Sequence, residues 1–192
     1  MVKKFKFYID NDICFECPLE SNRCMAENND GDQCKRRTVI GTGICWIHLL
    51  KFKHLRILNN AHGKGLYAMD LKKEPIDIIF RENEVITEYN GELINTATLT
   101  NRYQDKTAPY AAKRLGNNKF EDGACKRGVG SIINHGNSRQ ANARLSFSHD
   151  GTLKIRATKN ITNGSEILIN YNIGRGGRRY IINQAGVRHT TK

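Results

Sequence analysis

Thr162-Asn163-Gly164-Ser165-Glu166-Ile167-Leu168-Ile169-Asn170-Tyr171 is the stretch whose reading decides the fold of this chain. Its first four residues are turn formers, because Asn and Gly tolerate positive φ and Ser and Thr bond locally to the backbone. The next six hold an apolar run between polar ends, which reads as a strand closing on a tyrosine. Upstream, Ala143 to Ser148 alternates outward and inward residues, His149-Asp150-Gly151 turns, and Leu153-Lys154-Ile155-Arg156-Ala157 alternates again. Val85-Ile86-Thr87-Glu88-Tyr89, Asn90-Gly91 and Glu92-Leu93-Ile94 follow a hairpin pattern with a type I′ Asn-Gly turn. Strands this short and this frequent predict a mostly β, mostly antiparallel fold. One helix is expected after Thr96, capped by that threonine, with Leu99 and Tyr103 at helical spacing.

The chain has 192 residues, 39% of them hydrophobic, and carries 31 Lys+Arg against 19 Asp+Glu for a formal net charge of +12. That composition supports a packed core and argues against wholesale disorder. No apolar run approaches the roughly 18 residues of a membrane helix. The start, Met1-Val2-Lys3-Lys4-Phe5, lacks the apolar run of an export signal. No membrane association is expected, and an intracellular location is. The excess positive charge points to a polyanionic or acidic partner, or to solubility alone. From Gly174 the chain has five basic and no acidic residues, so 176–192 reads as a flexible basic tail.

Five of the six cysteines, Cys14, Cys17, Cys24, Cys34 and Cys45, precede residue 50. A disulfide framework needs an oxidising compartment, which nothing in the sequence indicates, whereas crowding beside His48 reads as metal ligation. Residues 1–53 are therefore set apart as a module too small to be held by apolar burial alone. Zinc takes four ligands at tetrahedral corners, and chelating pairs lower the entropic cost. Cys14-Phe15-Glu16-Cys17 and Cys45-Trp46-Ile47-His48 are such pairs, with Cys24 and Cys34 between them, so spacing leaves six ligands for four places. The run from Cys24 through Gly31-Asp32-Gln33-Cys34-Lys35-Arg36-Arg37 to Cys45-Trp46-Ile47-His48 resembles a small zinc-binding module of viral and microbial proteins. That resemblance implies Cys24, Cys34, Cys45 and His48 as ligands, leaving Cys14 and Cys17 as a spare pair or part of a second site. Cys125 stands alone and is expected to be a core or loop thiol. Lys35, Arg36 and Arg37 are basic neighbours that either dock phosphates or are merely solvated.

Four separated segments carry the chemistry: Gly63-Lys64-Gly65-Leu66-Tyr67-Ala68, the stretch from Val85 to Ile94, Ile132-Ile133-Asn134-His135-Gly136 with Ala141-Asn142-Ala143, and Ile161 to Tyr171. Gly-x-Gly allows close backbone approach to a ligand. It lacks the third glycine and the acidic residue of a dinucleotide fingerprint. In this order and spacing the four segments resemble the SET domain of protein lysine methyltransferases over residues 54–175. The compact length is most similar to minimal SET proteins of large DNA viruses.

The resemblance implies small curled sheets with a knot-like C-terminal threading, and the use of S-adenosylmethionine. Gly63, Lys64, Gly65, Leu66 and Tyr67, with Asn134 and His135, would bind that cofactor. Tyr171 would sit where methyl transfer occurs, with Tyr89 and Tyr110 (or Tyr67) as aromatic walls of a lysine channel. The implied partner is a protein lysine substrate, a histone or histone-like tail, in the nucleus or at a viral replication site. A homodimer is compatible with the resemblance. Gly136 stands where the family usually has Ser, Ser131 and Ile132 where an Arg or aromatic is common, and Asn170 where the family has Asp. The cysteine tail that completes the channel in many relatives is absent after Tyr171. A chain of +12 repels a free basic tail. Either an acidic groove from Glu88, Glu92, Glu121 and Asp122 offsets this, or basic ends recruit the protein to nucleic acid, which is the favoured expectation.

Overall fold

Leu153, Ile155 and Ala157 occupy alternate positions of one strand, so one of its faces is apolar, and all three are at most 1% exposed. The computed structural model describes residues 3–9, 12–19, 21–39, 42–60, 63–104, 108, 110–114 and 118–171. Among them the regular structure is mostly strand, with α-helices Trp46–Lys53 and Thr96–Tyr103 and a 3₁₀ turn at Val129–Ile132. No helix among the described residues is long and apolar enough to cross a membrane.

Leu153–Ala157 pairs antiparallel with Ala143–Phe147, in the register Ala143↔Ala157 to Phe147↔Leu153. The reversal between them is closed by Gly151 at φ +77. On its other side the strand pairs with Val85–Glu88. The five-stranded sheet runs Asn134–His135, Leu168–Ile169, Ala143–Phe147, Leu153–Ala157, Val85–Glu88. Leu168–Ile169 is parallel to both its neighbours, opposing Leu168 to Asn134 and Ile169 to both His135 and Ala143. The last strand is thus threaded between two earlier ones, the knot-like closure the resemblance implies. Consecutive elements seldom do this, because a terminal strand must enter a slot that already exists.

The main core gathers Leu55, Leu66, Ala68, Ile133, Ile155, Ile161 and Ile167, all at most 2% exposed, together with Leu49 from the first helix. Leu49 therefore joins the cysteine-rich segment to the same core as the sheet.

Several expectations are corrected. Val85–Glu88 and Glu92–Asn95 are not a hairpin: the second strand pairs with Lys119–Asp122 in a separate three-stranded sheet. Gly91 does not take positive φ. Instead, a Cβ there would lie 2.5 Å from the Asp122 carbonyl carbon and oxygen, so glycine serves close approach of two backbones. The second helix is capped by Asn95, whose side chain accepts from Thr98 N–H at 2.8 Å, rather than by Thr96. The closing strand is only Leu168–Ile169, because just before it the chain turns to another partner: Ile167 N–H bonds the Leu66 carbonyl and Glu166 bridges to Tyr67, while Asn142 takes the Glu166 carbonyl. Cys125 is not alone, and Cys17 is not a spare ligand: the two form a disulfide across a separation of 108 residues. Local reading hid that pair, since only the fold brings the two cysteines together. The expectation for Cys14 as a ligand, and that of a basic tail over 176–192, lie outside the described side chains.

In a chain-entropy treatment a cross-link of this span stabilises by about 5 kcal/mol. Cys125→Ser is therefore expected to lower the urea midpoint under non-reducing conditions, the extrapolated unfolding free energy falling by a large part of that amount. A wild-type midpoint that does not move on adding reductant would show that the bridge does not form.

Candidate active site and metal centre

The hairpin Leu55–Asn60 with Gly63–Ala68 pairs Asn60 with Gly63 and Leu58 with Gly65. Gly63 has φ +109 with open space where a Cβ would stand, a conformation that favours glycine. At Gly65 a Cβ would fall 2.3 Å from Glu166 Oε1, so the carboxylate nests directly on the bare backbone. Leu66 is fully buried, and its carbonyl accepts from Ile167 N–H at 2.8 Å. The Tyr67 hydroxyl donates to Glu166 Oε2 at 3.3 Å.

The Asn134 side-chain amide donates to the Lys64 carbonyl at 3.1 Å and to Glu166 Oε1 at 2.8 Å. Both bonds come from Nδ2, so its Oδ1 is left as an acceptor with no partner among the described residues. Asn60 adds a third neutral bond, donating to Glu166 Oε1 at 2.7 Å. The resulting lip holds the Lys64 carbonyl, Asn134 Oδ1 and a carboxylate, a set of acceptors that suits a ligand bearing N–H donors or positive charge.

His135 and Tyr171 follow on the far side. Tyr171 N–H donates to His135 Nδ1 at 3.1 Å, and the two rings meet edge-on with centroids 5.3 Å apart. The Tyr171 hydroxyl donates to the Ile133 carbonyl. Burial, and secondarily Tyr110, push that phenol above its ordinary range, so it stays protonated at neutral pH. Tyr110 is also pushed up by burial, partly offset by Arg127, whose guanidinium lies 4.9 Å over its ring. Tyr89 is a core residue, 7% exposed, and its hydroxyl donates to the Tyr110 carbonyl at 2.8 Å. Tyr171 and Tyr110 thus share one neighbourhood, while Tyr89 supports it from within.

Sequence reading assigned no role to Glu166, Asn60 or Asn142. Asn142 donates to the Glu166 carbonyl at 2.8 Å and accepts from Leu168 N–H at 2.9 Å, imitating a strand partner for the threaded segment. The motif containing Glu166 was visible, but a carboxylate contacting residues 32 and 106 positions away leaves no local signal. The four acids suggested for a groove are committed internally. Lys154 pairs with Glu88 and holds its carboxyl below the usual range. Arg102 bridges Glu92 at 2.6 Å and the fully buried Asp122 at 2.9 Å, and Arg114 lies 3.4 Å from Glu121.

In the N-terminal segment, Cys24, Cys34, Cys45 and His48 are all buried, with their ligand atoms within 4.8 Å of one another. His48 Nδ1 lies 3.3 Å from Cys24 Sγ and 3.4 Å from Cys45 Sγ. Phe52 stacks on the imidazole at 5.4 Å and fixes its plane. Gln33 Nε2 donates to the Cys24 carbonyl at 3.1 Å, and Arg23 Nη2 to the Gln33 carbonyl at 2.7 Å, bracing the turn that carries Cys34. The Arg36 backbone N–H holds the Cys34 thiol below its ordinary value, while burial raises Cys45. Three sulfurs and one imidazole converging on a point fit a tetrahedral zinc site. Of the basic neighbours, Arg37 is spent on Ser21, leaving Lys35 and Arg36 exposed.

Residues 78–172 match the family model described as SET domain, and the chain carries that domain. Among solved structures, an active polycomb repressive complex 2 in the basal state is similar at 25% identity and TM-score 0.52, over 70% of this chain and 17% of that one. An active polycomb repressive complex 2 in the stimulated state is similar at 26% identity and TM-score 0.50, over 62% and 15% of the two chains. CpSET8 from Cryptosporidium is similar at 23% identity and TM-score 0.47, over 61% and 56%. This chain spans about a sixth of the length of the polycomb chains it matches. No curated protein sequence matches it.

Cys34→Ser is expected to reduce bound zinc from about one ion per chain to near none by elemental analysis, whereas Cys125→Ser leaves it unchanged. A second measurement concerns His135, whose pKa burial lowers from 6.5. The neutral ring accepts from Tyr171, so this stabilisation is complete above pH 6.5 and is lost as pH falls through the folded-state value. Thermal melts should show this acid-side loss in wild type and its reduction in His135→Asn.

Proposed function

We propose that this chain is an S-adenosylmethionine-dependent protein lysine N-methyltransferase acting on a histone or histone-like tail. One observation carries the reading: Asn134, amide-bonded to the Lys64 carbonyl, and His135, bonded to Tyr171, bring three distant stretches into one continuous surface. The SET family match supports it. When bound, S-adenosylmethionine supplies a methyl group on a positively charged sulfur. The Gly63–Leu66 backbone and Asn134 Oδ1 would hold the cofactor, with His135 beside them.

The protein's own task is then geometric. An amine attacking in line must be aligned, and positioning can supply a large part of such a barrier. The substrate lysine must also be neutral, although its free pKa is near 10.4. Desolvation around the Tyr171 and Tyr110 hydroxyls disfavours a charged amine, although the Tyr171 residue as a whole is 36% exposed, and the protonated Tyr171 hydroxyl acts as an orienting group, with no part as a base.

We further propose three units, a zinc-bound module over 1–53, the catalytic domain over 54–175 and a basic tail over 176–192. Because Glu88, Glu92, Glu121 and Asp122 are internally paired, recruitment through basic segments to nucleic acid is the reading for substrate encounter, at chromatin or a viral replication site. A non-catalytic module is the competing outcome. Incubation of the chain with labelled cofactor and histones separates them: transfer that Tyr171→Phe lowers by about tenfold or more supports the enzyme. Cofactor binding without transfer by wild type refutes it.

A further inference from the structure

Glu166 is half-buried at the meeting point of the Gly-x-Gly hairpin and the Asn-His strand. Every partner it has among the described residues is neutral: Asn60, Asn134 and the Tyr67 hydroxyl. Glu88, Glu92, Glu121 and Asp122 each face a lysine or arginine, in a chain carrying +12. A carboxylate held only by neutral donors keeps its full charge toward whatever lies beside it. Here that is the open Asn134 Oδ1 and the Lys64 carbonyl, two further acceptors.

We infer that Glu166 is the counter-charge of the cofactor site and that it selects the cationic sulfonium cofactor over its neutral thioether product. The inference rests on the methyltransferase reading above. S-adenosylmethionine and S-adenosylhomocysteine share their ammonium, carboxylate and adenosine and differ by one methyl and one positive charge at sulfur. Neutral hydrogen bonds from the backbone serve both equally. A fixed negative charge a few ångströms away distinguishes them, and its effect grows where water is partly excluded. The same preference eases release of the product. Asn60 is a positioning residue in this arrangement. It donates to the same Glu166 Oε1 that Asn134 bonds, so that the carboxylate stays against the glycine backbone.

Calorimetric titration of the full chain with each of the two compounds tests the inference without turnover. Glu166→Gln keeps the shape and an acceptor oxygen for Asn60 and Asn134 while removing the charge. It is expected to weaken S-adenosylmethionine by about tenfold and S-adenosylhomocysteine by less than about threefold. Asn60→Lys retains the Glu166 carboxylate but brings an ammonium to it, and should lower the same affinity ratio. That second variant keeps the test alive if Glu166→Gln fails to fold by circular dichroism. Equal weakening of both compounds, or an unchanged ratio in the folded variants, overturns the counter-charge role. Binding of neither compound by wild type instead overturns the cofactor reading beneath it.

Discussion

The two-residue strand Leu168–Ile169 lies parallel between Asn134–His135 and Ala143–Phe147, and the arrangement of the site depends on that insertion. It is too short to hold itself by ladder bonds alone. Asn142 compensates by bonding the Glu166 carbonyl and the Leu168 N–H, so that a side-chain amide completes the ladder. Ile167 and Ile169, at 0% and 4% exposure, anchor it in the core. Glu166 precedes the strand and Tyr171 follows it. One insertion therefore sets the carboxylate against Gly65 and the phenol against His135 at once. Burial here fixes chemistry as well as stability.

Electrostatics divides the molecule in two. Around the insert formed by Glu92–Asn95, Thr96–Tyr103 and Lys119–Asp122, Arg102 satisfies two carboxylates, one of them fully buried, and Tyr103 donates to the same Asp122 at 2.9 Å. A buried carboxylate so surrounded is structural: removal of either partner would strand a charge. At the site the pattern reverses, with neutral donors on the acid and one open acceptor, Asn134 Oδ1, on the residue beside it. That contrast marks where a ligand's charge can be used.

The N-terminal segment is secured by three different means. Leu49 joins the main core, the disulfide ties Cys17 to Cys125, and the Cys24, Cys34, Cys45, His48 cluster offers a metal its ligands. A segment of about fifty residues buries too little apolar surface to stand alone, which explains the redundancy. The bridge ends two residues from Arg127, which covers Tyr110, so the N-terminal strand Asp12–Leu19 is tied close to the aromatic pair.

Local pattern was enough for the strands whose faces differ. Ala143–Phe147 with Leu153–Ala157 was legible because period-two alternation and a glycine turn are properties of neighbouring residues. The convergence of Cys24, Cys34, Cys45 and His48 was legible through the resemblance to a zinc-binding module, since spacing left six candidates. Asn90-Gly91 misled, because a glycine required for close approach to Asp122 looks the same in sequence as one required for positive φ. The Cys17–Cys125 bridge, the Asn60–Glu166–Asn134 junction and the pairing of the acids belong to the tertiary structure alone. Sequence encodes periodicity and turn chemistry within a few residues. Contacts spanning about a hundred positions exist only once the chain has folded back on itself.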